Sequence, residues 1–152
     1  MKLTFLVVLL LSPFLCCAQQ DNVEVSDLVV RYRSLEDFNR PPVSVKDSLY
    51  DKGNVEMEVS FTLSDAKKIK GIDIKTGEQN GSSELLNKSG TCMKEGNKYY
   101  FVYNNTAYEI QNNRVSFTEV VTEGKMKKAA YFTVHLTDNQ NNKSVPFTQK
   151  IK

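Results

Sequence analysis

The chain has no tryptophan, one histidine (His135), three cysteines and four prolines in 152 residues. Each shortage excludes something. A zinc site needs three or four ligands, and a single histidine without a cysteine pair in the body of the chain cannot supply them. A thiolate nucleophile needs a positioned base, and the only available pair is Cys92 with His135. Neither a glycine-rich phosphate loop nor a Gly-x-Ser-x-Gly elbow is present. The net charge of +2 gives no electrostatic case for nucleic acid or an anionic membrane surface. The apolar run at 3–11 is shorter than the roughly 20 residues a spanning helix requires, and Pro13 follows it.

What is present begins at the N-terminus. Residues 1–18 carry Lys2, the apolar stretch 3–11, and a small residue, Ala18, at a cleavage point, which is the pattern of an export signal. The expectation is a signal peptide over 1–18 and a single domain over 19–152. Cleavage there removes Lys2 and leaves 19 basic against 18 acidic residues. It also removes Cys16 and Cys17, so Cys92 remains as the lone thiol and no internal disulfide forms, although the compartment would permit one. The rival reading makes Cys17 the first mature residue, carrying lipid as in bacterial lipoproteins. Acyl chains contribute about 0.8 kcal/mol per buried methylene, enough when multiple to hold the domain at a membrane. The expected location is therefore periplasmic or secreted, or lipid-anchored to the outer membrane through Cys17.

Beyond the leader, apolar and polar residues alternate with period two between Asn, Gly and Asp clusters, as in half-buried antiparallel strands. Val55, Met57, Val59, Phe61 and Leu63 form one face, and Glu56, Glu58, Ser60 and Thr62 the other. Ala66 to Lys68 suits one helical turn, and Ile72 and Ile74 mark the next strand. Asn104-Asn105 and Asn112-Asn113 suit two-residue hairpin loops, since Asn tolerates positive φ. Two such loops place Phe101 opposite Tyr108 and Tyr99 opposite Ile110, then Ile110 opposite Val115 and Tyr108 opposite Phe117, a three-stranded meander. Phe132, Val134 and Leu136 face inward in a later strand. Val145, Phe147 and Ile151 alternate inward in a last one, an edge because of Pro146. Val23 to Tyr32 supplies a first strand, bent at Ser26-Asp27, with a short one at Val43 and Val45. Residues 79–96 read as a long loop with a helical turn at Ser83 to Leu86 and a weak strand near Cys92. About eight or nine short strands at this spacing predict an all-β, two-sheet antiparallel sandwich.

The segment Gly53 to Asp65 with Ile69 and Ile72-Asp73-Ile74, the Tyr/Asn hairpin segment, and Tyr131 to Asp138 with its Asn-rich turn together resemble the immunoglobulin-like sandwiches of small exported Bacteroidetes proteins. The resemblance implies the immunoglobulin-like fold and an envelope or extracellular location, and no particular function. The chain departs from antibody-type domains in lacking the core Trp and the Cys pair. Asp47-Ser48-Leu49 likewise resembles the O-glycosylation site of that group, which makes Ser48 a candidate modification site.

Candidate surface residues are few. Tyr100 and Tyr131 are the aromatics expected to face outward from strands, where rings serve partner or sugar binding. His135 is expected to point outward among Tyr131, Thr133 and Thr137. Asp138 with Asn139, Asn141 and Asn142 reads as a hairpin turn, since the glycine and closing Glu of a calcium loop are missing. Glu56 and Glu58 read as a solvated face, and Lys67, Lys68, Lys70, Lys125, Lys127 and Lys128 as ordinary surface. With no catalytic set, cofactor or metal ligands expected, the reading is a non-enzymatic domain that contacts a protein or glycan at the cell envelope. The alternatives are a carbohydrate-binding module, or a secreted enzyme inhibitor using 79–96 as its loop.

Overall fold

The computed structural model describes residues 23–34 and 54–151. The leader over 1–18, Cys17, Ser48 and the strand expected at Val43 and Val45 lie outside the described residues. The elements, in order, are β1 (Val25–Ser34), β2 (Asn54–Leu63), a 3-10 turn (Ala66–Lys68), β3 (Ile69–Gly77), β4 (Leu86–Glu95), β5 (Lys98–Tyr103), β6 (Thr106–Ile110), β7 (Arg114–Thr122), α1 (Glu123–Lys128), β8 (Tyr131–Asp138) and β9 (Phe147–Lys150). They form two antiparallel sheets, β1-β2-β7 and β6-β5-β4-β3-β8-β9. The chain changes sheet between β2 and β3, between β6 and β7, and between β7 and β8. That arrangement, with β4, β5 and β6 added in turn beside β3, is a two-sheet antiparallel fold compatible with a β-sandwich.

The period-two pattern produces the core directly. Met57, Val59, Phe61 and Leu63 of β2 meet Ile72 and Ile74 of β3 and Phe132, Val134 and Leu136 of β8, and all of these are buried. Thr76 and Thr133 are also buried, and Thr133 lies 3.0 Å from Thr148 across β8 and β9. β1 bends where the alternation changes phase: the register shifts between Ser26 and Val29, and Asp27 takes φ 52°. The 3-10 turn forms where expected, with the Asp65 carboxylate accepting from the Lys67 N–H at 3.0 Å.

Three expectations are corrected. First, the 98–121 meander does not form. The first hairpin has the expected register, Phe101 opposite Tyr108 and Tyr99 opposite Ile110. After Asn112-Asn113 only Gln111 and Arg114 bridge, and β7 pairs with β2 instead, Val115 opposite Phe61 and Phe117 opposite Val59. Tyr108 and Phe117 still meet, but edge to face at 6.2 Å between the sheets. Second, the weak strand expected near Cys92 is a full ten-residue strand, Leu86–Glu95, within the large sheet, so the loop is shorter than expected, and no helical turn forms at Ser83 to Leu86. Its pattern is hidden because Gly90 holds an inward position. A Cβ there would fall 2.3 Å from the Phe101 ring, so the partner's aromatic fills the space that a side chain would take. Third, Val145 is 85% exposed, and β9 begins only at Phe147, which packs against the core at the sheet edge.

Candidate binding surface

The outer face of the large sheet carries Tyr100, Tyr131 and His135. Tyr100 on β5 projects from it, opposite Met93 of β4 on one side and Glu109 of β6 on the other. Beside this row, Val102 stands between Thr91 and Ala107. Met93 is 49% exposed, a large apolar side chain directly across from a ring. Lys98 closes the patch at its rim, paired with Glu109 at 2.9 Å, and that contact raises the lysine pKa. The result is an uncharged band of Met93, Thr91, Val102 and Ala107 with Tyr100 at its margin.

Tyr131 shares this outer face but not this patch. It lies opposite Gly77 of β3 and Lys150 of β9. β4 and β3 separate it from β5, about 14 Å of strand spacing. Through the register, the Tyr100–Met93 row falls at the Ile69 end of β3 and Tyr131 at its Gly77 end, about 26 Å apart along the strand. The two tyrosines cannot touch one small ligand.

His135 points outward as expected, opposite Asp73. Asp73 accepts from the Ser89 hydroxyl at 2.7 Å and pairs with Lys143 at 3.5 Å. Desolvation lowers the His135 pKa, Lys75 and Lys143 lower it further, and Asp73 opposes them. Cys92 occupies the other face of the same sheet, opposite Phe101, and burial pushes its thiol up to about 12. The strand order sets β3 between β4 and β8. Cys92 and His135 therefore stand on opposite faces of nonadjacent strands, and the pairing that a thiolate nucleophile would require is not made.

The remaining candidates resolve into local structure. At Asp138, desolvation raises the carboxyl pKa, but bonds from the Asn142 side chain and from the Asn142 and Gln140 N–H groups outweigh it and bring it below the usual range. Those oxygens cap a turn, tied down further by Asn139, which donates from Nδ2 to the Lys67 carbonyl at 2.8 Å. Glu56 and Glu58 face outward on β2, and Glu58 pairs with Arg33 at 3.4 Å. Lys70 donates to Asn141 at 2.8 Å, and Lys127 pairs with Glu123 at 2.8 Å on α1. What remains of the loop at 79–96 is the turn at 78–85. It is closed by Ser82 and Glu84, whose carboxyl is lowered chiefly by the Glu78 N–H.

Among the described residues no group of three or more His, Cys, Asp or Glu side chains could hold a metal ion, and no helix is long and apolar enough to cross a membrane. Sequence reasoning missed Met93, because the weak strand expected near Cys92 carried no register that would set Met93 across from Tyr100. No protein-family model matches the chain, and neither the curated proteins nor the solved structures contain a significant match to it.

Proposed function

We propose that this chain is an exported, non-enzymatic binding domain that contacts a protein or glycan at the cell envelope. The observation that carries the reading is the uncharged outer band of the large sheet. There Met93, 49% exposed, lies across from Tyr100 and next to Val102. Partly exposed aromatic and methionine side chains together are the composition of interface centres, where charged residues are depleted. Export rests on the pattern of 1–18. The two-sheet antiparallel fold suits such a role without dictating it, since the same sandwich hosts many functions.

The test is affinity capture from a solubilised envelope extract and a glycan array with the purified chain. The expected result is a discrete ligand, retained by wild type and lost with Tyr100→Ala or Met93→Glu. Capture of nothing by wild type, or equal capture by both variants, would overturn the reading.

A further inference from the structure

The outer face of the small sheet holds a polar depression of about 150 Å³, lined by Val29, Arg31, Glu58, Ser60, Arg114 and Ser116. It lies on the opposite side of the sandwich from the Tyr100–Met93 band and does not depend on it. The register builds it row by row. Val29, Ser60 and Ser116 lie across β1, β2 and β7, and Arg31, Glu58 and Thr118 form the next row. Arg114 comes from the row on the other side of Ser60, opposite Thr62, and reaches diagonally back so that its Nη2 donates to the Ser60 hydroxyl at 2.7 Å. Ser60 is thus the floor, only 9% exposed, between the longer side chains of Arg31, Glu58 and Arg114.

The two guanidinium groups differ in their partners. Arg114 is held by Ser60. Arg31 sits across from Glu58, but Glu58 makes its ion pair with Arg33 at 3.4 Å, and Arg31 pairs with no carboxylate among the described residues. A guanidinium with no carboxylate partner among the described residues, set beside a polar floor, presents a planar set of donors that fits a carboxylate. A bare oxyanion is a poor occupant, because Glu58 faces the same space and would repel it. The depression therefore suits a group that carries an anion toward Arg31 and Arg114 and hydroxyl donors toward Glu58, with Ser60 and Ser116 able to donate or accept.

We propose that this depression binds an acidic sugar residue of the uronic type: the carboxylate on Arg31 and Arg114, ring hydroxyls on Glu58 and Ser116, and an apolar ring face against Val29. No bond is made or broken. A glycan is chosen over an acidic peptide because the lining alternates charged groups with small hydroxyls and offers one short apolar wall.

The experiment is titration of the purified chain by calorimetry or amide NMR with four probes: an oligoglucuronate, a neutral oligoglucose of the same length, sodium sulfate and oligoglutamate. The expected result is saturable oligoglucuronate binding at least tenfold tighter than each of the other three, weakening as salt rises. Arg31→Gln should weaken oligoglucuronate binding at least tenfold. Glu58→Gln should weaken the sugar and strengthen sulfate, since it removes both an acceptor and a repulsion. Arg31→Gln lies on an exposed side chain, so a thermal melt matching wild type will separate lost binding from lost folding. Equal affinity for the neutral sugar, for sulfate or for oligoglutamate would overturn the proposal, as would the absence of any binding or an Arg31→Gln chain that binds as wild type does. Capture through Tyr100 and Met93 is expected to survive Arg31→Gln, since the two surfaces lie on different sheets, so an Arg31→Gln chain that binds oligoglucuronate as wild type does removes this site and leaves the envelope-binding reading standing.

Discussion

Asn104-Asn105 and Asn112-Asn113 are the same dipeptide in the same left-handed backbone conformation, with φ of 47° and 60° in the first and 52° and 61° in the second. The first joins β5 to β6 within one sheet; the second carries the chain from β6 in the large sheet to β7 in the small one. Turn chemistry alone therefore does not decide whether a hairpin continues. The difference lies in what each turn touches. At the first, Asn104 donates to the Glu119 carboxylate on the far side of the sandwich. At the second, the Asn113 carbonyl accepts from the Leu63 N–H at 2.8 Å and its side chain from the Ala66 N–H at 3.1 Å. Those bonds pin the second turn to the end of β2, and β7 then finds β2 as its partner. Phe117 completes the switch by packing on Phe101, Tyr103 and Tyr108 at centroid distances of 5.4, 5.0 and 6.2 Å.

If the shared ring holds the corner, Phe117→Ala will cost the most, about 3–5 kcal/mol in chemical denaturation. A loss below that of the turn substitutions would assign the corner to the turn instead. Next is Gly90→Ala, which crowds the ring that Phe117 leans on: a Cβ would stand 2.3 Å from Phe101, and overpacking of this kind costs about 1–3 kcal/mol. Adding Phe101→Leu to Gly90→Ala is expected to recover part of the loss in a double-mutant cycle, and strict additivity would contradict the contact.

The two turns can then be separated directly. Glycine accepts the same φ, so Asn105→Gly should change stability by no more than about 0.5 kcal/mol. Asn113→Gly removes the acceptor for Ala66 and should cost about 1 kcal/mol. Equal effects at both sites would remove the distinction drawn above. The smallest effect concerns the outer face. The His135 pKa is lowered in the fold, so the unfolded chain binds the proton more readily and stability falls as pH drops below about 6.5 toward the folded value. His135→Gln should flatten this part of a stability-against-pH curve measured by thermal melting, and an unchanged slope would show that the histidine does not contribute to it.

Legibility in the sequence followed the side chains. β2 and β8 could be read because each has a complete apolar face against a polar one. The Asn104-Asn105 register could be read because Tyr99, Phe101, Tyr103, Tyr108 and Ile110 all fall on one face. β4 could not: its inward positions are Leu86, Lys88, Gly90, Cys92 and Lys94, and the apolar filling comes from Phe101 of its neighbour. The sheet switch at Asn112-Asn113 was hidden because Val115 and Phe117 bury equally well under either pairing. At the surface, the outward direction of Tyr100 and Tyr131 was legible from parity. Their separation was not, since it depends on β4 and β3 lying between them. The Arg31–Arg114 depression was equally hidden, because it joins three strands distant in sequence.

The most direct test of the binding role is site-specific photo-crosslinking in envelope extract, from position 93 and from position 145. Met93 is 49% exposed in the uncharged band, and Val145 is 85% exposed but lies outside it. A discrete adduct from position 93 and none from position 145 is the result predicted. No adduct from position 93, or the same adducts from both, would contradict the account.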